Sequence, residues 1–182
     1  MLNTNAILKI NNYYAAQSVK LVYSGNDFFE KLILLIRSAH SILHYQTYIY
    51  DEDETGLEIA NELKAAAKRG VKIYMLVDAF GSKDLSNQFI NDLKKSGIRI
   101  RFFAPFLSRN IINLGRRMHH KVVVVDNAVA LVGGINISNK YRGSATVAPW
   151  LDHAILVKGS ICEKASKICS DILNKKFIFS IQ

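Results

Sequence analysis

The runs HHKVVVVD, His119 to Asp126, and AVALVGG, Ala128 to Gly134, meet at Asp126-Asn127. Both are rich in β-branched residues, the signature of buried strands. A junction this short leaves no room for the crossover that parallel strands require, so the two runs are expected to form an antiparallel hairpin. Alternation then places His119, Lys121, Val123 and Val125 on one face and His120, Val122 and Val124 on the other. A strand as apolar as this begins with groups that bind protons and ends in a carboxylate.

Upstream, periods of helix and strand alternate. Asp27-x-x-Glu30 reads as a capping box opening the apolar-striped helix FFEKLILLIRSA. SILHYQTYIY follows as a strand, GLEIANELKAAAKRG as a helix stopped by Gly70, and VKIYMLVD as a strand. LSNQFINDLKKSG reads as a helix capped by Ser86 and ended by Gly97, and IRIRFFAP as a further strand. This order predicts an α/β domain on a largely parallel sheet. After the hairpin come the strand HAILVKG and a closing helix, SICEKASKICSDILNKKF, with Ile161, Ala165, Ile168, Ile172 and Cys169 turned inward. The final FIFSIQ reads either as a frayed terminus or as the start of a further element.

Residues 1–182 read as one domain, since the length suits a single core and no low-complexity tract marks a linker. Cys162 and Cys169 lie roughly 10.5 Å apart along a helix, too far to bridge, so packing and a reducing compartment are the simpler inference. The start, MLNTNAILKINNYY, lacks the basic and apolar regions of a signal peptide, and no apolar run is long enough for a spanning helix. Membrane contact is therefore expected to be peripheral, unless a further segment supplies it. The 24 Lys+Arg exceed the 15 Asp+Glu, giving a net charge of +9 that suits nucleic acid, phospholipid headgroups or phosphorylated metabolites. DEDETGLEIANE, residues 51–62, approaches a calcium-loop pattern, but a strand precedes it and Glu58 takes its usual apolar position. It reads as a solvated strand-to-helix turn.

His119 beside Lys121 is a poor structural pair, because each cation lowers the other's affinity for a proton. It makes sense if the lysine binds an anion that the imidazole attacks. The bland alternative is a strand-edge histidine beside a solvated lysine.

The full run, His119-x-Lys121-x4-Asp126-x6-Gly133-Gly134-x-Asn136, resembles the HxKxxxxD signature of the phospholipase D superfamily. The likeness extends to its cardiolipin synthase branch through TYIYDEDETG, AAAKRGVKIYMLVD, AFGS, RRMHHK, GGINI and the Trp150-Leu151-Asp152 triplet. It implies a phospholipase D-like domain with a mixed, mostly parallel sheet flanked by helices on both faces.

Carried over by residue, the resemblance makes His119 the nucleophile or its general-acid counterpart and Lys121 the binder of phosphoryl oxygens. Asn136 would add a hydrogen bond to those oxygens, with Gly133 and Gly134 beside it, and Asp152 would orient the histidine ring. Gly134 stands where many relatives carry Ser, leaving a backbone N–H in place of a hydroxyl. Asp126 belongs to the signature but sits at the hairpin turn, where it is expected to organise structure. His120 falls at the variable position. Gln46 replaces the Glu of many synthases. The implied chemistry is two-step phosphodiester exchange through a phosphohistidine, without cofactor or metal, on an anionic phospholipid such as phosphatidylglycerol at the inner, cytoplasmic face of a membrane. It needs two such motifs, and the chain has one. A second motif-bearing half, a homodimer acting as an endonuclease on nucleic acid, and a non-catalytic binding domain for anionic lipid or phosphodiester are all consistent with that.

Overall fold

Helix α1, Asn26–Ser38, buries Phe28, Phe29, Leu32, Ile33 and Ile36, the i, i+3, i+4 stripe expected of a helix lying on a sheet. Its N-cap is Gly25 without a side-chain bond, so the expected Asp27–Glu30 capping box does not form. Asp27 lies inside the first turn; its carboxylate reaches back to the Tyr23 N–H at 3.1 Å and pairs with Lys31. Helix α3, Asn87–Lys95, begins as predicted on Ser86, which accepts the Phe89 N–H, and α2, Glu54–Lys68, begins on an unforeseen cap, Asp53, which accepts the Gly56 N–H. The acidic turn before α2 is thus spent on capping: Asp53 also accepts the Asn139 N–H at 2.6 Å, and Glu52 binds the Ser86 N–H and hydroxyl.

The computed structural model describes residues 14, 16–105, 107–108, 111–112 and 117–175. The readings made for residues 1–13, for Arg116 and for FIFSIQ lie outside them.

Strands β1 (Ser18–Tyr23), β2 (Ile42–Thr47), β3 (Lys72–Asp78), β4 (Arg99–Phe103), β7 (Val122–Val125), β8 (Val129–Gly133) and β9 (His153–Lys158) form a seven-stranded sheet in the order β1-β9-β8-β7-β2-β3-β4. Two short strands, β5 (Leu107–Ser108) and β6 (Ile111–Ile112), pair apart from it. Only β2–β3 and β3–β4 run parallel; β1–β9, β9–β8, β8–β7 and β7–β2 are antiparallel. The expectation of a mostly parallel sheet is therefore corrected. The two β-α-β crossovers give the parallel part, but the short hairpin forces β8 against β7, and the remaining strands continue that antiparallel run. The sheet is mixed and mostly antiparallel. Strand β1, absent from the sequence reading, closes its edge.

Helices do cover both faces. Val123, Val125 and Leu131 join the main core with residues of α1, α2 and α3. Val124, Ala130 and Val157 pack on the other side against Cys162 and Cys169 of α5, Ile161–Asn174. The alternation read in the hairpin holds. Within α5 Cys162, Ser166 and Cys169 are buried and Ile161, Ala165 and Ile172 pack partly buried on the core as expected, whereas Ile168 is 45% exposed. Burial pushes both thiols up, Cys169 to about 12, in keeping with a packing role.

Candidate active site

The C-terminal ends of β2, β3 and β8 and the N-terminal ends of β7 and β9 converge at one edge of the sheet. Asp78, buried at the end of β3, fixes that edge. One of its oxygens accepts the N–H groups of Phe80 and Gly81 at 3.0 Å, and the other that of Met118 at 2.7 Å. The Met118 side chain is buried against Leu76, Phe103 and Ala104, so the chain enters β7 from a fixed direction. Ser82 donates to the Tyr48 carbonyl and accepts the Tyr50 N–H, holding the loop after β2. A Cβ on Gly81 would strike the Tyr48 carbonyl, which explains a glycine there.

Tyr48 is the floor of the arrangement. Its ring centroid lies 5.0 Å from that of His119 and 5.3 Å from the Lys121 ammonium. His119 is exposed, while Lys121 is only 6% exposed, with Nζ donating to the His119 carbonyl at 3.1 Å. Burial lowers the Lys121 affinity for its proton, and the nearby Asp152 carboxylate opposes that. Among the described residues Lys121 forms no ion pair. The site therefore presents a partly desolvated ammonium beside an accessible imidazole.

His120 points the other way. Its Nδ1 lies 3.3 Å from Gln46 Oε1, and the Gln46 amide, buried in β2, donates to the Cys169 carbonyl of α5 at 3.1 Å. Burial, then the charges of Lys121 and His119, lower the His120 pKa. Gln46 ties α5 to the sheet, and His120 rests against it.

The remaining expected residues cluster, but several are committed to other partners. Gly133 and Gly134 give their N–H groups to the carbonyls of Lys121 and His153, so neither is left to bind a phosphoryl oxygen. Their role is room: a Cβ on Gly133 would strike His153 and Ala154, and one on Gly134 would fall on the Asp152 carboxylate. Asn136, 3% exposed, accepts the Ile49 N–H at 3.0 Å and donates to the Tyr141 hydroxyl at 2.9 Å. Asp152 accepts the His153 N–H, and no hydrogen bond joins it to His119 among the described residues. Asp126 is at the far end of β7, five residues from Lys121, or about 16 Å along an extended strand. There its carboxylate accepts the N–H groups of His40, Ser41 and Ile42 and the Ser41 hydroxyl, which hold its pKa near 2 against the effect of burial. It fastens the hairpin turn to β2 and touches nothing at the His119 end.

Tyr48 and Tyr141 were not singled out from the sequence, and Gln46 was marked only as a replacement for the Glu of many synthases. The signal for Tyr48 was present in the TYIY run that closes β2, because ligands of α/β sheets gather at strand C-termini. Nothing local marks Tyr141.

The α/β fold that brings exposed His119 and buried Lys121 to the mouth of the hairpin is shared with a solved phospholipase D family member. Two solved structures share the fold: Nuc, a phospholipase D family member from Salmonella typhimurium (TM-score 0.64, 23% identity, 86% of this chain and 94% of that one), and phosphatidylserine synthase from Haemophilus influenzae (TM-score 0.72, 19% identity, 91% and 39%). Within the class, residues 32–146 match the family described as cardiolipin synthase, phospholipase D-like domain, and the chain belongs to that family. It is 35% identical over 147 residues to cardiolipin synthase B of Shigella flexneri, covering 80% of this chain and 36% of that protein. The chain thus spans about a third of the length of the curated relative it matches.

Proposed function

We propose that the chain carries one of two half-sites of a phospholipase D-type phosphatidyltransferase acting on an anionic phospholipid, with phosphatidylglycerol as the donor. The observation that carries this is Lys121, a buried ammonium with no ion pair among the described residues, held 5.3 Å over Tyr48 beside exposed His119. A buried cation that Asp152 offsets only through space is costly unless an anion joins it, and the group accessible beside it is a nucleophile.

The His119 imidazole attacks phosphorus, a P–N bond forms, and the P–O bond to the leaving alkoxide breaks. A second histidine, from another motif-bearing unit, gives the alkoxide its proton. An acceptor alcohol then loses its proton to that histidine and attacks phosphorus, restoring a P–O bond as the P–N bond breaks. Lys121 neutralises the phosphoryl oxygens throughout, so no metal is called for. Asp152 contributes negative charge near Lys121, and by the resemblance it would orient the His119 ring once substrate and the second unit are in place. Action at the inner face of a membrane follows from the substrate; no helix among the described residues is long and apolar enough to cross one.

A second reading, a dimeric endonuclease, draws support from the match to nearly the whole Nuc chain, which gives a domain of this size standing alone. The two readings separate in a paired assay: glycerol release from phosphatidylglycerol vesicles against cleavage of single-stranded DNA, with EDTA present. His119→Ala is expected to lower turnover of either substrate by about 10³-fold or more. Retained turnover in that variant would remove His119 from the chemistry, and cleavage of DNA alone would replace the lipid assignment.

A further inference from the structure

The loop from Gly143 to Asp152, between α4 (Asn139–Arg142) and β9, holds apolar side chains out in solvent. Val147 is 63% exposed, Trp150 56% and Leu151 83%. This is no slack segment. Gly143, at φ 73, turns the chain so tightly that a Cβ there would meet Val147 and Pro149. The Ser144 N–H donates to the Val147 carbonyl at 2.8 Å, and its hydroxyl accepts the Thr146 and Val147 N–H groups. Trp150 donates its backbone N–H to the Lys140 carbonyl at 2.8 Å, and its ring meets Tyr141 edge-on at 5.6 Å. Tyr141 in turn receives the Asn136 amide, and Leu151 directly precedes Asp152. The apolar tip is therefore pre-ordered and coupled to the site edge.

The charges beside the tip say what it suits. The Lys140 ammonium sits 5.5 Å from the Trp150 ring and forms no ion pair among the described residues, whereas Arg142 is paired with Glu58. An indole and an ammonium side by side, with two aliphatic groups beyond, match the layers of a lipid interface: headgroup phosphate for the cation, headgroup level for the indole, acyl boundary for Val and Leu. The net charge of +9 adds attraction to an anionic surface. Single-stranded nucleic acid would stack on Trp150 but would gain little from Val147 and Leu151.

We infer that the 143–151 loop seats the domain on an anionic bilayer, with Val147, Trp150 and Leu151 entering the interface and Lys140 meeting lipid phosphate. This deepens the proposed function and rests on its lipid substrate, yet the contact is measurable without turnover. Trp150 is the only tryptophan in the chain, so its emission reports on the loop alone. The whole chain is mixed with vesicles of phosphatidylcholine, or of phosphatidylcholine with about a quarter phosphatidylglycerol. Expected are a blue shift and quenching by acyl-brominated lipid with the anionic vesicles only. Leu151→Asp and Val147→Asp, both at exposed positions, should each weaken vesicle binding about tenfold with unchanged circular dichroism and unchanged turnover of a soluble chromogenic phosphodiester. Absence of binding overturns the inference, as does a bound chain whose Trp150 stays unshifted and unquenched. A shift that follows chain concentration without lipid also overturns it, since a second copy would then cover the loop. If Trp150 enters the bilayer while phosphodiester turnover, measured with a domain bearing the second motif present, is indifferent to His119→Ala, the catalytic reading fails and the seating stands.

Discussion

Asp126 and Asp152 illustrate how far a carboxylate's neighbours decide its work. Asp126 accepts four hydrogen bonds from His40, Ser41 and Ile42, which hold its carboxyl near 2, below the ordinary value near 3.8. A folded-state pKa below the unfolded one stabilises the fold fully above the unfolded value and loses that contribution as pH falls through the folded one. Asp126→Ala should therefore cost about 2 kcal/mol at neutral pH by stranding backbone N–H groups. Urea midpoints followed downward in pH should show the gap between variant and parent closing between about 4 and 2. A gap that persists unchanged at the acid end would deny Asp126 this role. Turnover per folded molecule should be unaffected, because the carboxylate is a strand's length from His119.

Elements show which parts of the fold were legible and which were not. The hairpin, the face assignments of His119 through Val125 and the starts of α2 and α3 follow from local rules, since alternation and caps act over a few residues. The sheet's direction did not, because β1 to β9 pairing joins residues more than a hundred positions apart. Asp27 looked like a cap, but the chain reverses at Gly25 and leaves Asp27 to bind Tyr23 and Lys31 instead. At the candidate site His119 and Lys121 lie together just before β7, while Tyr48, Gln46 and Tyr141 arrive from segments that only the fold brings near. Gly134 was read as a donor position; packing makes it a gap filled by Asp152. Gly134→Ser, the residue of many relatives by resemblance, should displace Asp152 and thereby lower turnover about tenfold with little loss of stability. Restored turnover in a Gly134→Ser, Asp152→Asn pair, or no loss in the single variant, would show that Asp152 does not act through that position. Within α5, both thiols should resist a thiol-titrating reagent until the chain is unfolded, since each is buried under the sheet.

At the scale of the whole molecule the unpaired chemistry sets the strongest expectation. One His119 and one Lys121 stand at the sheet edge, whereas the proposed exchange needs a second histidine to protonate the leaving group. If two copies of this chain supply both, activity per chain should rise in proportion to concentration and level off once dimers saturate, in step with sedimentation. Mixing sharpens the point. Equal amounts of parent and His119→Ala chain, allowed to exchange, leave only about a quarter of the dimers with both histidines, against the half expected if each chain worked alone. If the partner is instead a further segment of a longer protein, as in a relative more than twice this length, no concentration of the chain should suffice. Activity should then appear only when a domain bearing the second motif is added, at stoichiometric amounts. A rate per chain independent of both concentration and mixing would mean that a single motif suffices, and the half-site reading would have to be abandoned.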